Sequence, residues 1–184
     1  FDGTDRGIRL KSARGRGGVV EDIRVSNIVM KNIKEEAIIM DLFYDKDNPV
    51  EPVTERTPIF RNIHISNVTG VNVNKAGFVR GIVEMPIQNI TFSNINMDGK
   101  EGFTVNTASD VEFHDVKVNA TAGSSFKISD SKNLILDNVG SSTPSKGIPV
   151  NQIDNASNLM IDNNFPFNAT DVFIEANGKE TKNI

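Results

Sequence analysis

Two cations alternate with apolar residues close to the start of the 184-residue chain, in Gly7-Ile8-Arg9-Leu10-Lys11-Ser12. On a β-strand, side chains alternate between faces, so Ile8 and Leu10 would point one way while Arg9 and Lys11 stand side by side toward solvent. A planar guanidinium beside a flexible ammonium suits the grip of a carboxylate, the arginine through two parallel hydrogen bonds and the lysine as a point charge. The surrounding segment strengthens this reading. Residues 1–18 hold Arg6, Arg9, Lys11, Arg14 and Arg16 against only Asp2 and Asp5, in a chain whose net charge is -4. A basic corner on an acidic protein points to a local anionic ligand and away from a surface that coats nucleic acid.

Other chemistry-bearing residues offer less. His64 and His114 alternate with apolar neighbours, which places them on an outer face, and no Asp or Ser is spaced to complete a nucleophilic triad. Glu35, Glu36, Asp41, Asp45 and Asp47 read as solvated surface. The absence of cysteine excludes disulfides and thiolate metal sites, and no cluster has metal-ligand spacing, so neither metal nor cofactor is expected. Gly15-Arg16-Gly17-Gly18 resembles one unit of an RNA-binding Arg-Gly-Gly tract, but a single copy beside strands in an acidic chain carries no such function. No run of about 18 apolar residues is present to span a bilayer.

The elements that would hold Arg9 and Lys11 are announced by a repeat. A phrase of apolar, x, apolar, x, Asn or Asp recurs at Ile23–Ile28, Ile63–Val68, Ile90–Ile95, Val111–Val116, Leu134–Val139 and Leu159–Asn164. Its marker residues Asn27, Asn67, Asn94, Asp115, Asn138 and Asn163 recur at intervals compatible with one turn of a β-solenoid. A second ladder runs between these copies, through Ile8, Ile38, Phe78, Phe103, Phe126, Ile148 and Val172, with the same period. Alternation at period two without a sustained helical period predicts an all-β chain. Asn and Asp tolerate left-handed backbone geometry, so each marker can join two short strands at a bend, and stacked coils would align the amides into a ladder. The expected architecture is a right-handed, single-stranded parallel β-helix of about six to seven coils, forming one domain over residues 1–184. Five Asn-x-Ser/Thr sequons, at Asn67, Asn89, Asn119, Asn155 and Asn168, read as turn residues of this kind and not as glycosylation sites. Residues 45–58, with three prolines and no strand period, read as a loop projecting from one coil.

The segment from Gly3 to Gly18, with its Arg9-Leu10-Lys11 core, resembles the Arg-Ile-Lys motif region of glycoside hydrolase family 28, the polygalacturonase family. The resemblance continues through Val19–Ile33, Ala37–Tyr44 and Glu55–Ile63, is closest to the bacterial branch, and fades into generic solenoid pattern beyond about residue 100. It implies a right-handed parallel β-helix and inverting hydrolysis of pectic polyuronate. Arg9 and Lys11 match the motif's substrate-contacting cations, with Leu10 in place of the commoner Ile. Tyr44, the only tyrosine, falls where the family places a substrate-contacting tyrosine one coil later; packing beneath the 45–58 loop is the alternative for it.

Inverting hydrolysis requires a carboxylic acid for the leaving group and a carboxylate to activate water. The family draws these from Asn-Thr-Asp and Asp-Asp motifs, followed by Gly-His-Gly, all upstream of the Arg-x-Lys strand; this chain contains none of the three. Phe1 rather than Met stands first, so the natural chain is expected to begin upstream, with the acids there and the present chain supplying substrate-binding residues without catalytic ones. The expected partner is an anionic polysaccharide, the expected location periplasmic or secreted by family alone, and self-association is expected through an unprotected N-terminal coil. Two rivals stand beside this reading: a non-catalytic carbohydrate-binding or adhesive β-solenoid, and a pectate lyase, for which no carboxylate cluster suited to calcium is seen.

Overall fold

The computed structural model of the protein describes residues 1–43 and 49–184. Its strands are β1 (Ile8–Lys11), β2 (Val19–Lys31), β3 (Glu36–Asp41), β4 (Ile59–Arg80), β5 (Ile87–Asn106), β6 (Ala108–Ser129), β7 (Lys132–Gly140), β8 (Asn151–Asp154), β9 (Ser157–Asp162) and β10 (Ile174–Asn177). Every pairing between these strands is parallel. One stack of rungs runs from β1 through β3, the ends of β4, β5 and β6, then β8 and β10. Another runs from β2 through the starts of β4, β5 and β6 to β7 and β9. Successive coils of a single chain therefore stack on themselves, which is the parallel β-helix expected from the repeat.

The long strands are bent at defined points. Asn27, Asn67, Asn94, Asp115, Asn138 and Asn163 all have φ between 50° and 61°, the left-handed region that Asn and Asp enter most readily among residues with side chains. The amides form the expected ladder: Asn67 Nδ2 donates to Asn27 Oδ1 at 3.2 Å, Asn94 to Asn67 at 2.8 Å, and Asn138 to Asp115 at 2.7 Å. A second ladder of bends lies five residues earlier, at Asp22, Asn62, Asn89, Asp110, Asn133 and Asn158. It too is linked by side-chain bonds, from Asn62 to Asp22, Asn133 to Asp110 and Asn158 to Asn133. The sequons at Asn67, Asn89 and Asn155 thus fall on left-handed bend residues.

Inward side chains fill the coil. Phe92 and Phe113 occupy equivalent positions on adjacent rungs and stack with centroids 4.9 Å apart. Phe103, from the opposite wall, meets both edge-on, and Phe126 meets Phe113; all four are fully buried. Such aromatic contacts add about 0.5–1.5 kcal/mol per pair beyond area burial.

Three rungs of the second sequence ladder register differently from expectation. Ile38 pairs with Gly77 rather than Phe78, so Phe78 faces outward. The reason is steric: a Cβ on Gly77 would lie 2.2 Å from the Phe103 ring, which already fills that slot. Further along, Phe126 pairs with Asn151, and Asn151 with Ile174, rather than Ile148 and Val172. A buried Asn in an inward slot disguised the apolar pattern; its Nδ2 donates to Phe173 O at 3.1 Å.

Of the expected 45–58 loop, residues 45–48 lie outside the described residues. The remainder carries no strand, exposes Val50 and Val53, and is tied back by the Gly17 N–H donating to Arg56 O at 2.8 Å. The Gly77 packing is directly testable. Gly77→Ala is expected to destabilise the chain by about 1–3 kcal/mol through overpacking, and by clearly less in a Phe103→Ala background, as read from denaturant midpoints.

Candidate functional site

The period-two alternation of β1 is realised as expected. Ile8 is buried and Leu10 packs against the core, while Arg9 is exposed and Lys11 half-buried on the opposite face. Stacking turns this face into two columns. One runs Arg9, Ile39, Phe78, Thr104, Lys127; the other runs Lys11, Asp41, Arg80, Asn106, Ser129. Among the described residues, Arg9 has no ion-pair partner, so its five N–H donors remain available to an anion.

Asp41 departs from the expectation of a solvated acid. It is only 4% exposed and accepts from Arg80 Nε at 2.8 Å and Nη2 at 3.0 Å, and from the Phe43 N–H at 3.0 Å. The Arg80 guanidinium also lies 4.6 Å from the Phe43 ring centroid and 5.2 Å from that of Phe78. A planar cation thus satisfies both oxygens of this enclosed carboxylate while itself resting against two aromatic rings.

The basic corner is also partly compensated, which charge counting over residues 1–18 could not reveal. Arg6 pairs with both Glu35 and Glu36 from the next coil, so these acids too are ion-paired rather than merely solvated. Arg14 is buried and holds Glu84 through Nε and Nη2, the latter at 2.8 Å. The hydrogen bond from Arg14 keeps the Glu84 carboxyl below its usual range, against the opposing pull of burial. This pair joins the turn after β1 to the Ile82–Met85 turn two coils on, across 70 residues of sequence.

Tyr44, Asp45 and Asp47 lie outside the described residues. The two histidines are on outer positions as expected. His64 is lowered from its usual pKa, chiefly by desolvation and then by Arg24. His114 is raised, chiefly by its hydrogen bond with Asp137 and then that with Glu112, each at 3.0 Å. With a carboxylate on each ring nitrogen, His114 clasps its own rung to the next and its protonated form is favoured. Among the described residues, no group of three or more His, Asp or Glu is placed to hold a metal ion. Among the described residues, no helix is long and apolar enough to cross a membrane.

Sequence reasoning missed Arg80, Phe43 and Phe78 on this face. A faint signal existed, since Arg80 closes the phrase Gly77-Phe78-Val79-Arg80, and the observed pairing sets it in the column of Lys11. The misassigned register at Phe78 concealed it.

The model for glycosyl hydrolases family 28 matches residues 1–108. The chain belongs to that family.

Its relatives include an exo-poly-alpha-D-galacturonosidase of Dickeya chrysanthemi, 30% identical over 142 residues, covering 72% of this chain and 24% of that protein. A probable endopolygalacturonase I of Aspergillus flavus is 34% identical over 73 residues, 40% of this chain and 20% of its own length. An endo-polygalacturonase of Pectobacterium parmentieri is 30% identical over 98 residues, 51% of this chain and 23% of its own. The chain thus spans about a fifth to a quarter of the length of the curated relatives it matches. No solved structure matches it.

The His114 clasp sets a pH dependence. Because its folded pKa is raised, its stabilisation is complete below the unfolded value of about 6.5 and is lost as pH rises through the folded value. Asp137 contributes with the opposite sign: its pKa is depressed by Asn163 and His114, so its share is present above the unfolded carboxylate value and lost as pH falls through the depressed one. Denaturant midpoints should therefore fall as pH rises above about 6.5, and His114→Gln should flatten that decline. A decline of equal steepness in the variant would remove His114 from the explanation.

Proposed function

We propose that the whole protein hydrolyses pectic polyuronate by inversion and that this chain supplies the binding side of its groove, Arg9, Lys11 and Tyr44 gripping the substrate near the cleavage point. The observation that carries this reading is Arg9, an exposed cation without an ion-pair partner among the described residues, on the outward face of a family-28 β-helix. Polygalacturonase names among the relatives favour a galacturonate chain as the anion.

Inverting hydrolysis uses two carboxyl groups roughly 6.5–9.5 Å apart, one protonated and one ionised, flanking the bond. Among the described residues, Asp41, beside Lys11 on the next rung, is committed to Arg80, and Glu84 is committed to Arg14. We therefore read the catalytic carboxylates as lying outside this chain, which alone binds without turning over. Pectic substrates are extracellular, so the protein is read as periplasmic or secreted; the reaction as proposed needs no cofactor.

The N-terminal coil supports a further part of this reading. Its inward residues Ile23, Val25 and Ile28 are only partly buried, whereas their partners one coil on, Ile63, Ile65 and Val68, are 0–1% exposed. Residues 1–3 cover the edge of β2 only at Val29–Lys31; the apolar side chains before that point, with the edge of β1, offer a template for another parallel rung. The isolated chain is accordingly expected to self-associate through this end, seen as a concentration-dependent mass by light scattering; a monomer at high concentration counts against it.

For substrate binding, Arg9→Ala and Lys11→Ala are each expected to weaken affinity for polygalacturonate roughly tenfold, as loss of a charge-assisted hydrogen bond entails, while the chain releases no reducing ends. Unchanged affinity in both variants would overturn the binding role. Release of reducing ends by the chain alone would overturn the placement of the acids.

A further inference from the structure

The outward column that begins at Arg9 meets a second exposed cation four rungs later. We propose that Lys127 is a distal carboxylate-binding position, taking a later sugar of the same uronate chain that Arg9 and Lys11 hold. This rests on the polyuronate reading above and goes beyond it in assigning a residue outside the span matched by the family, residues 1–108.

Lys127 stands in register with Arg9 through Ile39, Phe78 and Thr104. It borders a recess of about 340 Å³ whose walls include Gly102, Thr104, Gly123 and Ser124. Among the described residues, Lys127 has no ion-pair partner, and the Thr104 hydroxyl makes no hydrogen bond. An ammonium and a hydroxyl therefore line one depression with their bonding capacity unspent. Gly123, at φ 77°, allows this arrangement, because a Cβ there would approach Lys127 Nζ to 3.2 Å.

One acid, Glu101, also lines the recess, but it is engaged by Lys75 at 2.9 Å, and that hydrogen bond holds its carboxyl below the usual range. Lys75, Lys100 and Lys127 all act on Glu101 electrostatically, so the positive charge acting on this one carboxylate outnumbers it and an added anion is favoured nearby. The next residues down the column are Gln152 and Glu175, so the cationic stretch ends at Lys127.

Rungs lie about 4.8 Å apart, which separates Arg9 from Lys127 by roughly 19 Å along the coil axis. One uronate unit cannot bridge that distance, whereas a polymer several sugars long can present carboxylates to both. Engaging the second position on one chain raises affinity through effective concentration. The consequence is a dependence on chain length that belongs to Lys127 and not to Arg9.

Calorimetric titration of the chain with digalacturonate and with polygalacturonate tests this. Lys127→Ala is expected to weaken polymer binding about tenfold and leave digalacturonate binding unchanged. Lys127→Arg should retain polymer affinity, and Lys132→Ala, a charge-matched change at the start of β7, should have no effect. Arg9→Ala should weaken both ligands. Wild-type polymer affinity in Lys127→Ala, or an equal loss for both ligands, overturns the inference while leaving the Arg9 and Lys11 site standing. If the unsubstituted chain binds neither ligand, the polyuronate reading fails and the inference fails with it.

Discussion

The left-handed bend is the constraint on which the rest of this molecule depends. At Asn27, Asn67, Asn94, Asp115, Asn138 and Asn163 the backbone enters a region that costs most side chains about a kilocalorie per mole or more. Asn and Asp tolerate it, and stacking lets each amide bond to its neighbour one coil away. A second set of bends five residues earlier does the same. Sharp turns at these two positions in each coil, with further left-handed bends such as Asn32 and Asn72, allow a single strand-forming stretch to wrap part of a core on its own. Because the same bend recurs at the same place in every coil, the register of all outward columns follows from it.

That register converts sequence distance into spatial adjacency. Arg9, Phe78 and Lys127 are far apart along the chain yet stand in one column, and Asp41 and Arg80, 39 residues apart, share two hydrogen bonds. Ion pairs across coils then act as crosslinks in a fold whose coils otherwise touch only their neighbours. Arg14 with Glu84 is the most buried of them. A charge pair so enclosed is weak evidence of net stability, since desolvation offsets much of its attraction; its clearer effect is to hold the turn after β1 in place beside the Arg9 and Lys11 strand.

The family match ends at residue 108, but the physical pattern does not. Asp115, Asn138 and Asn163 bend as Asn27 does, and the Phe92–Phe113 stack crosses that boundary without interruption. The later coils are therefore the same solenoid with a different surface.

What the sequence determined was the periodic part. Alternation at period two, Asn or Asp markers at coil spacing, and the Arg9-Leu10-Lys11 strand required only local rules, because side-chain direction on a strand and tolerance of left-handed φ belong to individual residues. Its failures came where a neighbouring coil intervened. Gly77 lies inward because the Phe103 ring occupies the space beside it, and Asn151 sits in a slot that apolar residues fill elsewhere. Asp41, Glu35 and Glu36 looked like solvated charges and Arg14 like part of a basic corner open to an anion, yet each is paired with a residue from another coil. Only tertiary structure could decide these, since burial and partnership are properties of stacked coils and a single strand has neither until the next one lies against it.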